Sequence, residues 1–161
     1  MKNRDMITLF QQLTTLEGRK FSVKFSYFVA KNKVMIKEEY GALDEARKPD
    51  PIYTEYDSKR AALAHELADK DTNGQPKIEN GNFVIIENFE KFKKSLDELK
   101  EQYAEAIKEQ EQRIKDFEAL LDEEIEYKGP KIDLKDIPEQ VEPSVLEILI
   151  VCGLIIDTDE Q

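Results

Sequence analysis

One stretch constrains the chain more than any other. After Phe89, the residues Phe92, Leu96, Leu99, Tyr103 and Ala106 recur at spacings of 4, 3, 4 and 3, the pattern of a coiled-coil seam. Past Ala106 the seam falters. Gln110 and Arg113 take the next places, while Ile107, Ile114, Phe117 and Leu121 move the stripe around the helix. From Phe89 to Asp122, roughly 34 residues at 1.5 Å rise span about 50 Å, more than the diameter of a small domain. Such a helix protrudes, pairs with a long partner such as the second helix, or breaks near Gln110. Left alone, it exposes an apolar strip that monomers usually avoid. The sequence therefore predicts a homo-oligomer assembled through Phe92, Leu96, Leu99 and Tyr103.

The flanking segments supply the remaining elements. Asn3 is placed to cap a first helix carrying Met6, Leu9, Phe10, Leu13 and Leu16, with Gly18 as its stop. Phe21, Val23 and Phe25 alternate with Ser22 and Lys24, which suggests a short strand or extended entry. From about Ser26 the period becomes helical through Phe28, Val29, Ile36, Tyr40 and Leu43, until Pro49. Asp50-Pro51 opens a third helix, with Ile52, Tyr56, Leu63 and Leu67 on its buried face. Asn80-Gly81, between Lys77–Glu79 and Asn82–Ile85, predicts a type I′ hairpin. Asn88 can cap the long helix. Ile125 and Tyr127 alternate with acids before Gly129-Pro130, and Ile132 and Leu134 alternate after it, so a second, C-terminal hairpin is expected. Glu142-Pro143 opens a short apolar helix from Ser144 to Cys152, Gly153 ends it, and Leu154-Ile155-Ile156 adds a final strand. The fold class is mainly α with small β elements (α+β): a long helix, shorter helices and two hairpins. At 161 residues and 40% apolar content, one domain over residues 1–161 with a modest core is expected.

Charge is unevenly placed. Residues 1–48 hold 10 Lys and Arg against 6 acids, whereas residues 119–161 hold 12 acids and 3 Lys within a chain of net charge −11. Nucleic acid binding gains from counterion release by cations, so this balance argues against direct nucleic-acid binding. The longest apolar run, Val145–Ile156, is interrupted by Glu147 and Gly153 and falls short of the ~20 residues a membrane span needs. The N-terminus leads into an amphipathic pattern rather than an apolar signal core, and a lone cysteine suits a reducing compartment. The expectation is a cytoplasmic protein with no membrane partner.

Catalytic signals are poor, and the chain is read as no enzyme. His65 is the only imidazole, and no Ser or Cys sits in an elbow-like turn near it. Cys152 lies in the run Leu149-Ile150-Val151 and is read as a small core residue. With one Cys and one His no zinc set can form, and no glycine-rich phosphate loop is present. No cofactor is expected. Asp69-x-Asp71-x-Asn73-Gly74 reproduces the first half of an EF-hand loop. Its second half fails, because Pro76 and Asn80 occupy the places of the apolar residue and the bidentate Glu, and no metal site is assigned. Near the N-terminus, Lys24, Tyr27 and Lys31 are spaced to share one helix face. Two cations and a phenol there either hold an anionic ligand such as a nucleotide, or dock the acidic C-terminal region, with Asp157, Asp159 and Glu160 as its acids.

Val23-Lys24-Phe25-Ser26-Tyr27-Phe28-Val29-Ala30-Lys31-Asn32, with its Tyr-x-x-Ala-Lys-Asn pattern, resembles a feature of small, mainly helical proteins of uncharacterised function encoded by tailed phages and prophages. The order of parts is similar over nearly the whole chain. An Asn-Gly turn follows a charged helical middle, then comes the acid-flanked Glu123-Glu124-Ile125-Glu126-Tyr127, then the Pro-led helix from Glu142 to Ile150. The long helix and the Pro49–Pro51 insertion go beyond the pattern. The resemblance carries no catalytic residue across. It implies a phage accessory protein that binds a host or phage protein and modulates or inhibits a host protein or defence system in the host cytoplasm. A virion structural or assembly protein is the alternative, and sequestration of an anionic nucleotide-type ligand at Lys24, Tyr27 and Lys31 is a third.

Overall fold

The computed structural model describes residues 1–158. In chain order its elements are α1 (Asn3–Thr15), α2 (Val23–Ala46), α3 (Pro51–Leu67), β1 (Ile78–Glu79), β2 (Asn82–Phe83), α4 (Phe89–Gln102), α5 (Ala104–Asp122), β3 (Ile132–Asp133), a 3₁₀ turn (Leu134–Asp136), α6 (Pro143–Val151) and β4 (Ile155–Ile156). The chain is mainly α with small β elements. It divides into two compact units, residues 1–47 with 116–161 and residues 48–115.

The first unit is built on α1, α2 and α6. Met6, Leu9 and Leu13 of α1, Phe25 and Ile36 of α2, and Val145 and Leu149 of α6 are almost fully buried in one apolar cluster, joined by Ile132 and Leu154. No strand forms before α2. Ser22 is its N-cap, its hydroxyl accepting from the Phe25 amide at 3.3 Å. Alternation would have buried Val23, yet Val23 is 87% exposed, while Phe21 and Phe25 meet edge-on at 5.0 Å. Spacing of four, not two, decides this segment. Asn3 is likewise not a cap. Lys2 holds that place, and the Asn3 amide donates 2.8 Å to the Leu120 carbonyl, one of the orphan acceptors at the C-terminal end of α5. The Ile125 amide donates to the Met1 carbonyl at 2.8 Å, tying the start of the chain to residue 125.

The expected C-terminal hairpin is absent. β3 pairs with β4 in parallel, Ile132 against Ile155 and Asp133 against Ile156. Parallel strands need a crossover, and α6 supplies it between them. Gly129-Pro130 is therefore not a hairpin turn. A Cβ on Gly129 would stand 2.4 Å from both the Asn32 side-chain oxygen and the Tyr127 ring, so close packing explains the glycine.

The second unit packs α3 against α4 and carries the hairpin between them. Asn80 and Gly81 both have positive φ, 52° and 80°, as a type I′ turn requires. Asp50 caps α3 by accepting from the Ile52 amide at 2.7 Å. Of the face expected to be buried, Tyr56 and Leu67 are buried and Ile52 is exposed. The long helix departs from α geometry at Tyr103, φ −111° and ψ 19°, not near Gln110. Its ladder continues, since Tyr103 donates to Leu99 and Ile107 to Tyr103. The departure falls on the residue held most tightly to α3. The Tyr103 ring lies 5.8 Å from that of Tyr56, and its hydroxyl accepts from Lys59 at 2.6 Å and donates to Glu55 at 2.8 Å.

Candidate interaction surfaces

The three residues of the α2 triad have different surroundings. Lys24 pairs with Asp136 in the 3₁₀ turn, while Tyr27 and Lys31 are exposed. Other cations of the N-terminal segment pair with acids of the C-terminal region. Arg19 pairs with Glu142, and Lys2 and Arg4 with Asp122 at 3.0 and 2.9 Å. Asp159 and Glu160 lie outside the described residues. These pairings hold the carboxylates in their charged form: a hydrogen bond from Arg19 lowers the Glu142 pKa, and one from Lys2 lowers that of Asp122.

Beneath the same helix lies a residue that the spacing argument missed. Asn32 is fully buried, and every polar atom of its side chain is used. Its amide donates to the Phe28 carbonyl at 2.9 Å and to the Pro130 carbonyl at 3.2 Å, and its oxygen accepts from the Tyr127 hydroxyl at 2.6 Å. Burial pushes the Tyr127 phenol up to about 12, so it stays a donor at neutral pH. The Asn of the Tyr-x-x-Ala-Lys-Asn pattern is thus the latch for the segment 127–130. Its sequence signal is a polar residue in phase with Phe25, Phe28 and Ile36.

The α4 seam also divides. Phe92, Leu96 and Leu99 are half-buried and Tyr103 is buried, all within the unit where α4 packs on α3. The apolar strip that argued for an oligomer thus has a partner helix in its own chain. What stays open is a groove of about 410 Å³ between α3, the hairpin and α4. Phe83, Ile85, Phe92 and Leu96 line it, Ala61 and Ala64 face them from α3, and Arg60 joins the lining while bonded to Asp57. Phe83 and Ile85 are two apart on an extended segment and so share a side, a signal the hairpin prediction already contained.

His65 lies on the surface, edge-on to Phe83 at 5.6 Å. Cys152 is half-buried, and burial, with the Asp5 charge adding, pushes its thiol up to about 11. The EF-hand half-motif organises its loop. Asp71 accepts from the amides of Asn73 and Gln75 at 2.8 and 2.9 Å, and Asp69 reaches forward to the Ile86 and Glu87 amides at 3.0 and 3.1 Å. No cluster of three or more metal-ligating side chains occurs among the described residues, and none of their helices is long and apolar enough to cross a membrane. Compared with protein-family models, curated proteins and solved structures, the chain matches none.

Proposed function

We propose that the protein is a non-enzymatic accessory protein that acts by binding another protein, with the groove of residues 48–115 as the binding surface. The observation that carries this reading is the open wall of Phe83, Ile85, Phe92 and Leu96 facing two alanines. Aromatic and aliphatic side chains left half-exposed around small residues form a pocket for an apolar anchor of a partner. Phage origin and a host target come from the sequence resemblance alone, and modulation of a host protein is the activity it suggests. Anion sequestration on α2 is the weaker reading. With Lys24 committed to Asp136, one exposed lysine remains beside Tyr27, and a single exposed cation is heavily screened.

The test is affinity capture from host lysate with the full chain and with Ala61→Arg. That change places a long helix-compatible side chain in the groove from an exposed position. The wild type should retain a host protein that the variant loses while its circular dichroism is unchanged. Retention of the same protein by both, or of none by the wild type, contradicts the assignment.

A further inference from the structure

The outer face of α2 carries a second surface, independent of the groove. Val23, Tyr27, Lys31, Val34, Glu38, Ala42 and Glu45 follow spacings of 4, 4, 3, 4, 4 and 3, and every one is exposed. That is an 11-residue period of 3.67 residues per turn, close enough to 3.6 to keep the stripe on one side of a straight helix. Three of its members are large apolar groups open to water: Val23, Tyr27 at 64% and Val34 at 69%.

The order of residues along the stripe is self-complementary when reversed. The midpoint of the 24-residue helix falls between Val34 and Met35, the latter also exposed at 41%. A second α2 laid antiparallel about that midpoint sets Val34 against Met35, Lys31 against Glu38, and Tyr27 against Ala42. Apolar meets apolar, cation meets anion, and the large ring meets the small side chain. Each contact then occurs twice, as a two-fold interface demands.

Charge singles out this occupant. Lys31 and Glu38, with Lys37 and Glu39 beside them, form no ion pair or side-chain hydrogen bond among the described residues, whereas Lys24, Lys33 and Arg47 of the same region are paired with Asp136, Glu17 and Asp44. The helix also has no acid in its first turn and no base in its last, the reverse of what its dipole favours. An antiparallel copy brings the acidic end of one helix, and its negative dipole end, to the basic end of the other. We infer that α2 pairs with α2 of a second copy of this chain, antiparallel, and that the homo-oligomer contact lies here rather than on the α4 seam.

The measurement is sedimentation equilibrium on the full chain. The wild type should sediment at about twice 18.7 kDa. Val34→Glu puts two like charges at the centre and should yield monomer with an unaltered circular dichroism spectrum. Lys31→Glu and Glu38→Lys alone should each weaken association on the order of tenfold, since each turns two attractive pairs repulsive. The double variant Lys31→Glu/Glu38→Lys restores both pairs and should recover the wild-type dissociation constant. A monomeric wild type, which would leave this face to another partner or to solvent, overturns the proposal. So does a dimer that survives Val34→Glu, or a double variant no tighter than the singles.

Discussion

The two units differ most in how they bury apolar surface. In residues 1–47 and 116–161, three helices close around side chains that water does not reach, and ion pairs such as Arg19–Glu142 and Lys2–Asp122 join segments more than a hundred residues apart. Within residues 48–115 the buried set is short: Tyr56, Leu67, Ala68, Tyr103, Ala106 and Gln110, with no buried residue in α4. What separates the units is a third layer: α1 and α2 have α6 and the 132–155 strand pair over them, whereas in the second unit a two-stranded hairpin leaves the apolar wall half-open. A closed core confers cohesion, and the open one is the surface proposed above for binding.

The largest expected effect comes from a hole in the closed core. Leu149→Ala should destabilise by about 3 kcal/mol, because the residue is fully buried and its loss leaves a cavity. Leu96→Ala removes the same atoms from a half-buried site and should cost less than about 1 kcal/mol. Urea unfolding followed by circular dichroism measures both. Equal losses would break the distinction between the units.

Next comes the Asn32 latch. Gly129→Ala forces a methyl group against Asn32 and Tyr127 and should cost about 2 kcal/mol. A wild-type midpoint in the same assay would show that segment 127–130 can shift aside freely. The latch should also be visible in the pH dependence. The Tyr127 phenol titrates near 10 in an unfolded chain and at about 12 here. Below pH 10 both states hold the proton and stability is intact. Between about pH 10 and 12 only the unfolded state releases it, so stability falls across that window. Tyr127→Phe should flatten the fall, and an identical slope in the variant would place the titrating group elsewhere.

These residues also mark what the sequence discloses. The α1 face, the Asp50-Pro51 start and the Asn80-Gly81 turn are set by neighbours within a few positions, and they form as expected. Register and pairing partners are not local. Whether Ile132 pairs with Ile125 or Ile155 depends on where α6 packs, and whether Phe21–Phe25 is strand or helix depends on which of those side chains the core accepts. The surfaces show the same divide. Lys24 and Tyr27 share a face as spacing demands, but no spacing reveals that Asp136 arrives beside Lys24. The α4 seam predicted a partner helix in a second copy, and α4 packs on α3 of the same chain.

A smaller effect is expected at Cys152. Half-buried at the end of α6, it should lose about 1 kcal/mol on substitution by alanine, with binding unchanged. Its raised pKa predicts slow alkylation of the folded protein near neutral pH, and labelling at the rate of a free thiol would put it on the surface.

The inequality of the two units is tested most directly by native-state amide hydrogen exchange, resolved along the chain by mass spectrometry. Amides of α1, of α2 from Phe25 to Ile36, and of α6 should exchange only through global unfolding. Those of α3 and α4 should exchange at least tenfold faster, through a separate opening of residues 48–115. A single protection level shared by α2, α3, α4 and α6 would contradict the account and make the chain one cooperative body.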